Sequence, residues 1–253
     1  MNGMSEQVQL KVQPSGAAEI TIHRPERHNA MTQAMYESLL ERIAECGRNP
    51  QVRAVLFRGA GGKSFVSGTD IAHFAEFQQG EQGIAYEAFV EKVIDSVERI
   101  AVPTIAVIDG WAVGGGLALA TACDFRVCSS GSRFGAPIAK TLSNTLSSRN
   151  IARLQAALGV PRVKKMLLLA EYIDTAEALS CGFVYETCDA GQLGERANAL
   201  AERLMALSGV TQAAVKESMR RIVVEQSLED DDLVHRVYGS EAFRQGVAGF
   251  LKR

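Results

Sequence analysis

Short runs of apolar and β-branched residues alternate with segments of helical periodicity in the first half of the chain. The apolar runs predict β-strands at residues 8–12, 17–23, 52–57, 104–108 and 125–128. Apolar positions spaced three and four residues apart predict helices at residues 32–45, 71–77 and 86–100. A helix between two such strands is the βαβ pattern, which implies an at least partly parallel sheet with right-handed crossovers.

The pattern changes from about residue 147, because nearly all of the remaining chain has helical periodicity. Helices are predicted at residues 151–158, 162–170, 175–180, 192–207, 211–225 and 228–243, with one further strand at 183–186. We therefore predict an α/β core at residues 1–195 and a C-terminal helical region at residues 196–253. The helical region is expected to pack on the core or on a neighbouring subunit.

Two glycine-containing turns follow predicted strands. Gly114, Gly115 and Gly116 open an Ala- and Leu-rich helical segment, so unpaired backbone N–H groups are expected where side chains are absent. Such a turn suits an anion or a polarised carbonyl oxygen, although three glycines can also serve only a tight turn. The second turn, around Gly68 and Thr69, is either a second N–H donor or only a helix cap. In open α/β sheets this edge is the usual binding site.

Composition narrows the classes of function. The 253 residues are 47% hydrophobic and 22% charged, with a formal net charge of −2 and no block of Lys or Arg, so neither nucleic acid nor an anionic membrane is an expected partner. Five cysteines without motif spacing indicate a reducing compartment. The polar N-terminus and the absence of a membrane-length apolar run favour a cytoplasmic location. Residues 62–64 do not complete a phosphate-binding loop, because Phe57 occupies the position of its first glycine.

Several segments together resemble the enoyl-CoA hydratase/isomerase (crotonase) superfamily along almost the whole chain. Each motif is weak alone, but their order and spacing are specific. The matching segments are residues 22–30, 52–55, 64–71, 103–116, 123–124, 134–137, 153–154, 241–247 and 250–253.

The resemblance implies an α/β, crotonase-like spiral of ββα turns with a C-terminal helical region that mediates trimerisation, often as a hexamer. It also implies an acyl-CoA thioester as substrate, with coenzyme A present only as part of that substrate and no other cofactor or metal. The thioester oxygen would lie in an oxyanion hole formed by the backbone N–H groups of Thr69 and Gly115. Fixed donors of this kind are worth roughly 3 to 4 kcal/mol each when charge develops on the oxygen.

The same resemblance assigns the positions around the substrate. Arg27 matches a position near the CoA phosphates, and Phe250 and Lys252 match the C-terminus that a neighbouring subunit often contributes. Ala72 stands where the family often has a lysine, so that contact is missing. The remaining predicted substrate-binding residues are His28, Ala30, Ser67, Asp70, Ile71, Trp111, Val113, Gly114, Ala118, Pro137 and Ile138.

The chain departs from the family pattern at the two catalytic glutamates. The classical hydratases use one glutamate shortly after the glycine turn and one after the Phe-Gly-x-Pro segment, and Ala118 and Ile138 occupy those positions here. A positioned acid or base typically contributes about 10² to 10⁴ in rate. Classical water addition should therefore be very poor.

A polar segment, residues 140–150, replaces the usual Gly/Pro-rich turn of the family. Asn144 and Arg149 are candidates to orient a carboxylate, a leaving group or water, although the segment can also be only a solvated loop and helix cap. His73 and Glu76 are titratable alternatives, with a surface-facing pair as their simpler interpretation.

Two classes of function follow. The favoured one is an acyl-CoA enzyme that uses the oxyanion hole without the two glutamates, as a lyase, isomerase, decarboxylase or thioester hydrolase. The alternative is a catalytically silent acyl-CoA-binding protein that keeps the fold and the assembly.

Overall fold

Two β-sheets lie side by side in the computed structural model, which describes residues 7–252 of the chain. Most of the polar N-terminus and the last residue of the predicted C-terminal motif lie outside the described residues. The strands are β1 (Val8–Val12), β2 (Ala17–Ile22), β3 (Ala54–Gly59), β4 (Ser64–Val66), β5 (Thr104–Ile108), β6 (Trp111–Val113), β7 (Phe125–Ser129), β8 (Arg133–Gly135), β9 (Ile173–Asp174) and β10 (Glu186–Cys188). The helices are α1 (Gln33–Arg48), α2 (Gly80–Glu98), α3 (Gly115–Ala122), α4 (Ser148–Leu158), α5 (Val160–Leu168), α6 (Thr175–Ser180), α7 (Leu193–Met205), α8 (Gly209–Arg220), α9 (Asp231–Tyr238) and α10 (Glu241–Phe250).

The chain winds through both sheets in a repeating order. The six-stranded sheet has the order β1-β2-β3-β5-β7-β10, parallel except for the β1–β2 hairpin, and the four-stranded sheet has the order β4-β6-β8-β9. A long strand of the first sheet is followed by a short strand of the second and then by a helix: β3-β4-α2, β5-β6-α3 and β7-β8-α4. These repeats are the ββα turns that the family resemblance implied.

Residues 54–57 of β3 and all of β5 are buried and apolar or β-branched, because the six-stranded sheet is covered there on both faces. Along β3, Val55 and Phe57 join the main core, whereas Ala54 and Leu56 join a second cluster. Successive side chains of a strand point to opposite faces, so a strand buried on both sides needs an unbroken apolar run. The second cluster is completed by the buried face of α7.

Helix α7 therefore packs on the sheet of the core, and the predicted division after residue 195 falls inside this helix. The oligomerisation role predicted for the region that follows stays a prediction. Among residues 7–252, no helix combines the length and the apolar character that crossing a membrane requires.

Three predicted elements differ from the structure. The helix predicted at 71–77 is a single 3-10 turn, Ile71–Phe74, and the helix predicted at 228–243 is divided into α9 and α10. Ser240 causes the division, because its side chain accepts the Phe243 N–H and caps a new helix. The strand predicted at 183–186 lies further along, as β10.

A cluster of ion pairs fixes the end of α8. Arg220 has only 4% of its side chain exposed and pairs with Glu217, Glu225 and Asp95. Arg221 adds a second bond to Glu217. The hydrogen bond from Arg220, assisted by that from Arg221, lowers the pKa of Glu217 from 4.5 to about 2.

Replacing Glu217 with Gln should lower the free energy of unfolding at neutral pH by about 1 kcal/mol, since the pair is partly exposed and screened. A carboxyl whose folded pKa is lowered stabilises above its unfolded pKa and loses that effect as pH falls through the folded value. The difference between wild type and variant should therefore shrink between pH 4.5 and about 2. Denaturant titrations across this range measure it, with the exposed Glu202→Gln as control. A difference that does not change with pH would contradict the assignment.

Candidate active site

The two glycine turns meet at one edge of the four-stranded sheet. Strands β4 and β6 are parallel neighbours, so the turns that follow them leave the sheet side by side. Gly68 has φ +112°, and a Cβ placed on it would lie 3.3 Å from the Val113 carbonyl oxygen and 3.8 Å from the Gly115 nitrogen. Both the positive φ and the close approach exclude a side chain at Gly68.

Both predicted donors have N–H groups without a local acceptor. A short bridge uses the neighbours of Thr69: the Met31 N–H donates to the Gly68 carbonyl and the Asp70 N–H donates to the Met31 carbonyl. The Thr69 N–H donates to no turn or loop carbonyl within residues 7–252. Gly115 is the first residue of α3, where an N–H has no intrahelical acceptor. This pair of N–H groups can hold an oxygen that carries negative charge.

The N-terminus of helix α3 adds a positive electrostatic potential at this turn. Its N-terminus carries partial positive charge, and six of its residues from Gly116 onward are buried. A Cβ on Gly116 would lie 1.9 Å from the Val66 carbonyl oxygen, so this glycine lets the helix begin directly against β4. Of the three glycines, Gly116 thus serves close packing, and Gly115 presents its N–H.

A chain of three hydroxyl groups lies against the same turn. The Thr69 hydroxyl is 2.9 Å from that of Tyr36 on α1 and 2.6 Å from that of Tyr86 on α2. A Cβ placed on Gly115 would lie 2.6 Å from the Tyr36 hydroxyl oxygen and 3.7 Å from the Thr69 hydroxyl oxygen. Sequence analysis missed both tyrosines, because nothing in the sequence indicates that residues so far apart meet at Thr69.

Tyr86, at the outer end of the hydroxyl chain, belongs to an aromatic cluster. Tyr86 packs on Phe74 and on His73, with ring centroids 4.8 and 5.5 Å apart. Phe77 completes the cluster against His73. The interpretation of His73 and Glu76 as a surface-facing pair is thus wrong for His73, which is half-buried among rings, while Glu76 is exposed.

Asp70 is engaged by a residue that sequence analysis did not select. Arg24 donates to the Asp70 carboxylate over 2.7 Å and to the Ala30 carbonyl over 3.0 Å. The hydrogen bond from Arg24 holds the pKa of Asp70 below its usual value. Asp70 also accepts the Ala72 N–H, so it fixes the loop that carries Thr69.

The positions of the two family glutamates carry no ionisable group. Ala118 is buried on α3, and Ile138 is half-buried after β8. An acidic residue that sequence analysis missed is Glu87 on α2, which accepts the Ser147 N–H over 2.7 Å. Burial raises the pKa of Glu87. Burial also raises the pKa values of Tyr36 and Tyr86, and the charge of Glu87 adds a smaller effect in the same direction.

The two predicted catalytic residues of the polar segment after Ile138 have no side-chain interaction with the part of the chain that the structure describes. Asn144 and Arg149 are exposed, and neither side chain forms a hydrogen bond or ion pair with residues 7–252. Ser147 caps α4 by accepting the Asn150 N–H. The cap interpretation therefore holds for Ser147, and a catalytic role for Asn144 and Arg149 stays a prediction.

The other predicted substrate-binding residues form two sets. Exposed ones are Arg27, His28, Ile71, Trp111, Phe250 and Lys252; more enclosed ones are Ala30, Ser67, Val113, Gly114 and Pro137. Trp111 packs edge-on against Tyr172, with ring centroids 5.0 Å apart. Within residues 7–252, no group of three His, Cys, Asp or Glu side chains is placed to hold a metal ion.

The structure is an α/β spiral of ββα turns in which two N–H groups without a local acceptor lie on adjacent turns, an arrangement that suits a polarised oxygen. The family model for enoyl-CoA hydratase/isomerase matches residues 13–253. The chain is 31% identical over 226 residues to short-chain-enoyl-CoA hydratase of Clostridium acetobutylicum, covering 89% of this chain and 84% of that protein. It is 32% identical over 231 residues to the mitochondrial enoyl-CoA hydratase domain-containing protein 2 of Mus musculus, covering 89% and 75%.

Solved structures agree with the sequence relatives. An enoyl-CoA hydratase/carnithine racemase from Magnetospirillum magneticum is similar with a TM-score of 0.87 at 28% identity, covering 98% of this chain and 93% of that one. The chain belongs to the enoyl-CoA hydratase/isomerase family, and the predicted crotonase-like fold is confirmed.

Proposed function

We propose that this protein acts on an acyl-CoA thioester whose carbonyl oxygen binds between the N–H groups of Thr69 and Gly115. The observation that carries the proposal is the convergence of two turns whose N–H groups have no local acceptor. An enolate or tetrahedral adduct gains charge on that oxygen, and fixed donors then stabilise it more than the ground state. Family membership supports the thioester as the substrate class.

The proposed reaction is not classical hydration. Ala118 and Ile138 cannot transfer protons, and they stand where the resemblance places the two hydratase glutamates. We propose a lyase, isomerase, decarboxylase or thioester hydrolase reaction instead. Each of these uses an enolate or an adduct on the thioester oxygen without requiring both glutamates.

Binding of the coenzyme A part is proposed for the exposed residues at the rim. Arg27 is exposed after β2 and suits the phosphates by its charge. Phe250 and Lys252 lie at the exposed end of α10, from which a neighbouring subunit would reach the nucleotide.

A panel of acyl-CoA thioesters, followed by mass spectrometry, tests the proposal. Conversion of any member by the wild-type protein, abolished when proline replaces Gly115, is the expected result. Calorimetric binding of thioesters with no turnover across the panel would instead support the silent binding protein. Absence of both binding and turnover would exclude an acyl-CoA function.

We expect the protein to assemble as a trimer or a hexamer. The C-terminal helices expose large apolar side chains, among them Met219 (62%), Tyr238 (62%) and Phe250 (77%). A cavity of about 580 Å³ between α4, α8 and the start of β7 adds further apolar surface. Burying this surface against a second copy would be favourable. Light scattering is the measurement, and a stable monomer of 27.3 kDa at micromolar concentrations would contradict the expectation.

A further inference from the structure

The three hydroxyl groups of Tyr36, Thr69 and Tyr86 form an unbroken hydrogen-bonded chain. Each hydroxyl has one proton, and each of the two hydrogen bonds uses one. One proton of the three is therefore left over for a partner outside the chain. If Tyr86 donates to Thr69 and Thr69 donates to Tyr36, the remaining proton belongs to Tyr36. The opposite order of donation leaves it on Tyr86.

The two ends of the chain lie in different surroundings. Tyr36 is 3% exposed, and its hydroxyl faces the Cα of Gly115, whose N–H is one of the two proposed oxyanion donors. Tyr86 is only half-buried and contacts His73 and Phe74 near the surface. The hydroxyl chain thus connects the buried Tyr36, beside Gly115, with the partly exposed Tyr86.

Burial keeps the tyrosine protons in place at neutral pH. Burial raises the pKa of Tyr36 well above its usual value, and it raises that of Tyr86 to about 12. The nearby Glu87 carboxylate acts in the same direction. Both phenols therefore hold their protons at neutral pH and enter the reaction in the protonated form.

We propose that Tyr36 is a catalytic proton donor, which protonates the α-carbon of a thioester enolate held at Thr69 and Gly115, and that Thr69 and Tyr86 relay the replacement proton. This inference rests on the proposed acyl-CoA function and specifies how its chemistry ends. The Tyr36 hydroxyl lies directly beside the Cα of Gly115, and this proximity to the proposed thioester site is the observation behind its assignment as the donor.

The step balances without a further reagent. The electron pair of the enolate C=C bond forms the new C–H bond, and the charge on the oxygen returns to the restored carbonyl. The Tyr36 O–H bond breaks and its electron pair stays on the phenol oxygen. The Thr69 proton moves to Tyr36, and the Tyr86 proton moves to Thr69. Water at the half-buried end reprotonates Tyr86 and leaves a hydroxide ion in the solvent, which carries away the negative charge of the enolate. A C–H bond next to a thioester is a far weaker acid than a phenol, so this direction is favourable.

The relay narrows the reactions proposed above. Decarboxylation of a carboxylate at the α-carbon leaves an enolate that keeps the electron pair of the broken bond, so it needs a proton donor and no base. Thioester hydrolysis does not pass through this protonation. The absence of ionisable groups at Ala118 and Ile138 is compatible with decarboxylation. With this relay, the expected substrates are acyl-CoA thioesters that form an enolate by losing carbon dioxide from the α-carbon.

Deuterium exchange tests the relay without knowledge of the substrate, because a group that protonates the enolate also removes that proton in the reverse step. Butyryl-CoA is incubated with the full-length protein in D₂O, and α-deuterium is counted by mass spectrometry. We expect slow exchange in the wild type and a decrease of about 10² or more in Tyr36→Phe. Butyryl-CoA affinity, measured by calorimetry, should change little, since the N–H groups remain.

Matched variants distinguish a loss of proton transfer from a loss of side-chain packing. Thr69→Ser keeps the hydroxyl and should exchange nearly as fast as wild type, whereas the isosteric Thr69→Val should be as slow as Tyr36→Phe. Tyr185→Phe, remote on the surface beside Phe125, is the control and should have no effect. Equal exchange by Tyr36→Phe and wild type, or no exchange by a wild type that binds butyryl-CoA, would overturn the relay alone. A wild type that binds no butyryl-CoA would overturn the proposed function itself.

Discussion

Crotonyl-CoA should bind to this protein and undergo little hydration. Adding water across a conjugated double bond needs a base for the water and an acid for the α-carbon. Tyr36 is placed to serve as an acid, but no group at Ala118 or Ile138 can activate water. Each missing acid or base typically costs about 10² to 10⁴ in rate. The loss of absorbance of the conjugated thioester measures the reaction.

The double substitution Ala118→Glu with Ile138→Glu should create hydration activity. Ala118 is only 6% exposed, so the new carboxylate would be partly desolvated, and thermal unfolding of the variant must be measured beside its turnover. Each single substitution is the control, because one carboxylate alone supplies only half of the proton transfers. Hydration by the unmodified protein at about 10 s⁻¹ or more would refute the argument. Glu87, His73 or the polar segment after Ile138 would then be supplying the base.

The large strands and helices of the fold could be predicted because burial on two sides leaves a clear pattern. Strand β5 is predicted at its observed bounds, since all five of its residues are buried and apolar or β-branched. Helix α1 is predicted by its apolar face. Thr32, at which the predicted helix begins, is its N-cap and accepts the Met35 N–H. The spacing of apolar residues predicts an element reliably when the element is long enough for the spacing to recur.

The four-stranded sheet could not be predicted, for the opposite reason. Strands β4, β6 and β8 have three residues each, and β9 has two, so none completes an alternation of apolar and polar positions. Their pairing depends on the spiral that brings each short strand beside the next. This sheet nevertheless positions both glycine turns. The sequence therefore indicates the turns but does not indicate the strands that hold them in place.

The candidate site divides in the same way. The two glycine turns could be predicted because glycine at a strand-to-helix turn has local causes, and the role of their N–H groups as oxyanion donors stays a prediction. The hydroxyl chain joins α1, a loop and α2, and the Arg24–Asp70 pair likewise joins segments far apart in sequence. Side chains that meet through tertiary packing leave no signal in the spacing of one sequence.

Replacing Gly115 with Ala should impair acyl-CoA binding far more than replacing Thr69 with Ala. The methyl group that Gly115→Ala introduces would lie 2.6 Å from the Tyr36 hydroxyl oxygen, so the ring or the turn must shift and disturb the N–H donor. Thr69→Ala removes a side chain and keeps its N–H. Losing one oxyanion donor costs roughly 10² to 10³ in turnover.

Calorimetry with butyryl-CoA measures the difference between the two variants. We expect at least about a tenfold loss of affinity for Gly115→Ala, or about 1.4 kcal/mol, and less than about a threefold loss for Thr69→Ala. Gly209→Ala is the matched control, because Gly209 also begins a helix and a Cβ there meets no atom within 4 Å. Its affinity should equal that of the wild type. Equal losses in folded Gly115→Ala and Thr69→Ala would mean that Thr69 holds the thioester by its hydroxyl, and the backbone oxyanion hole would then be the wrong description of this site.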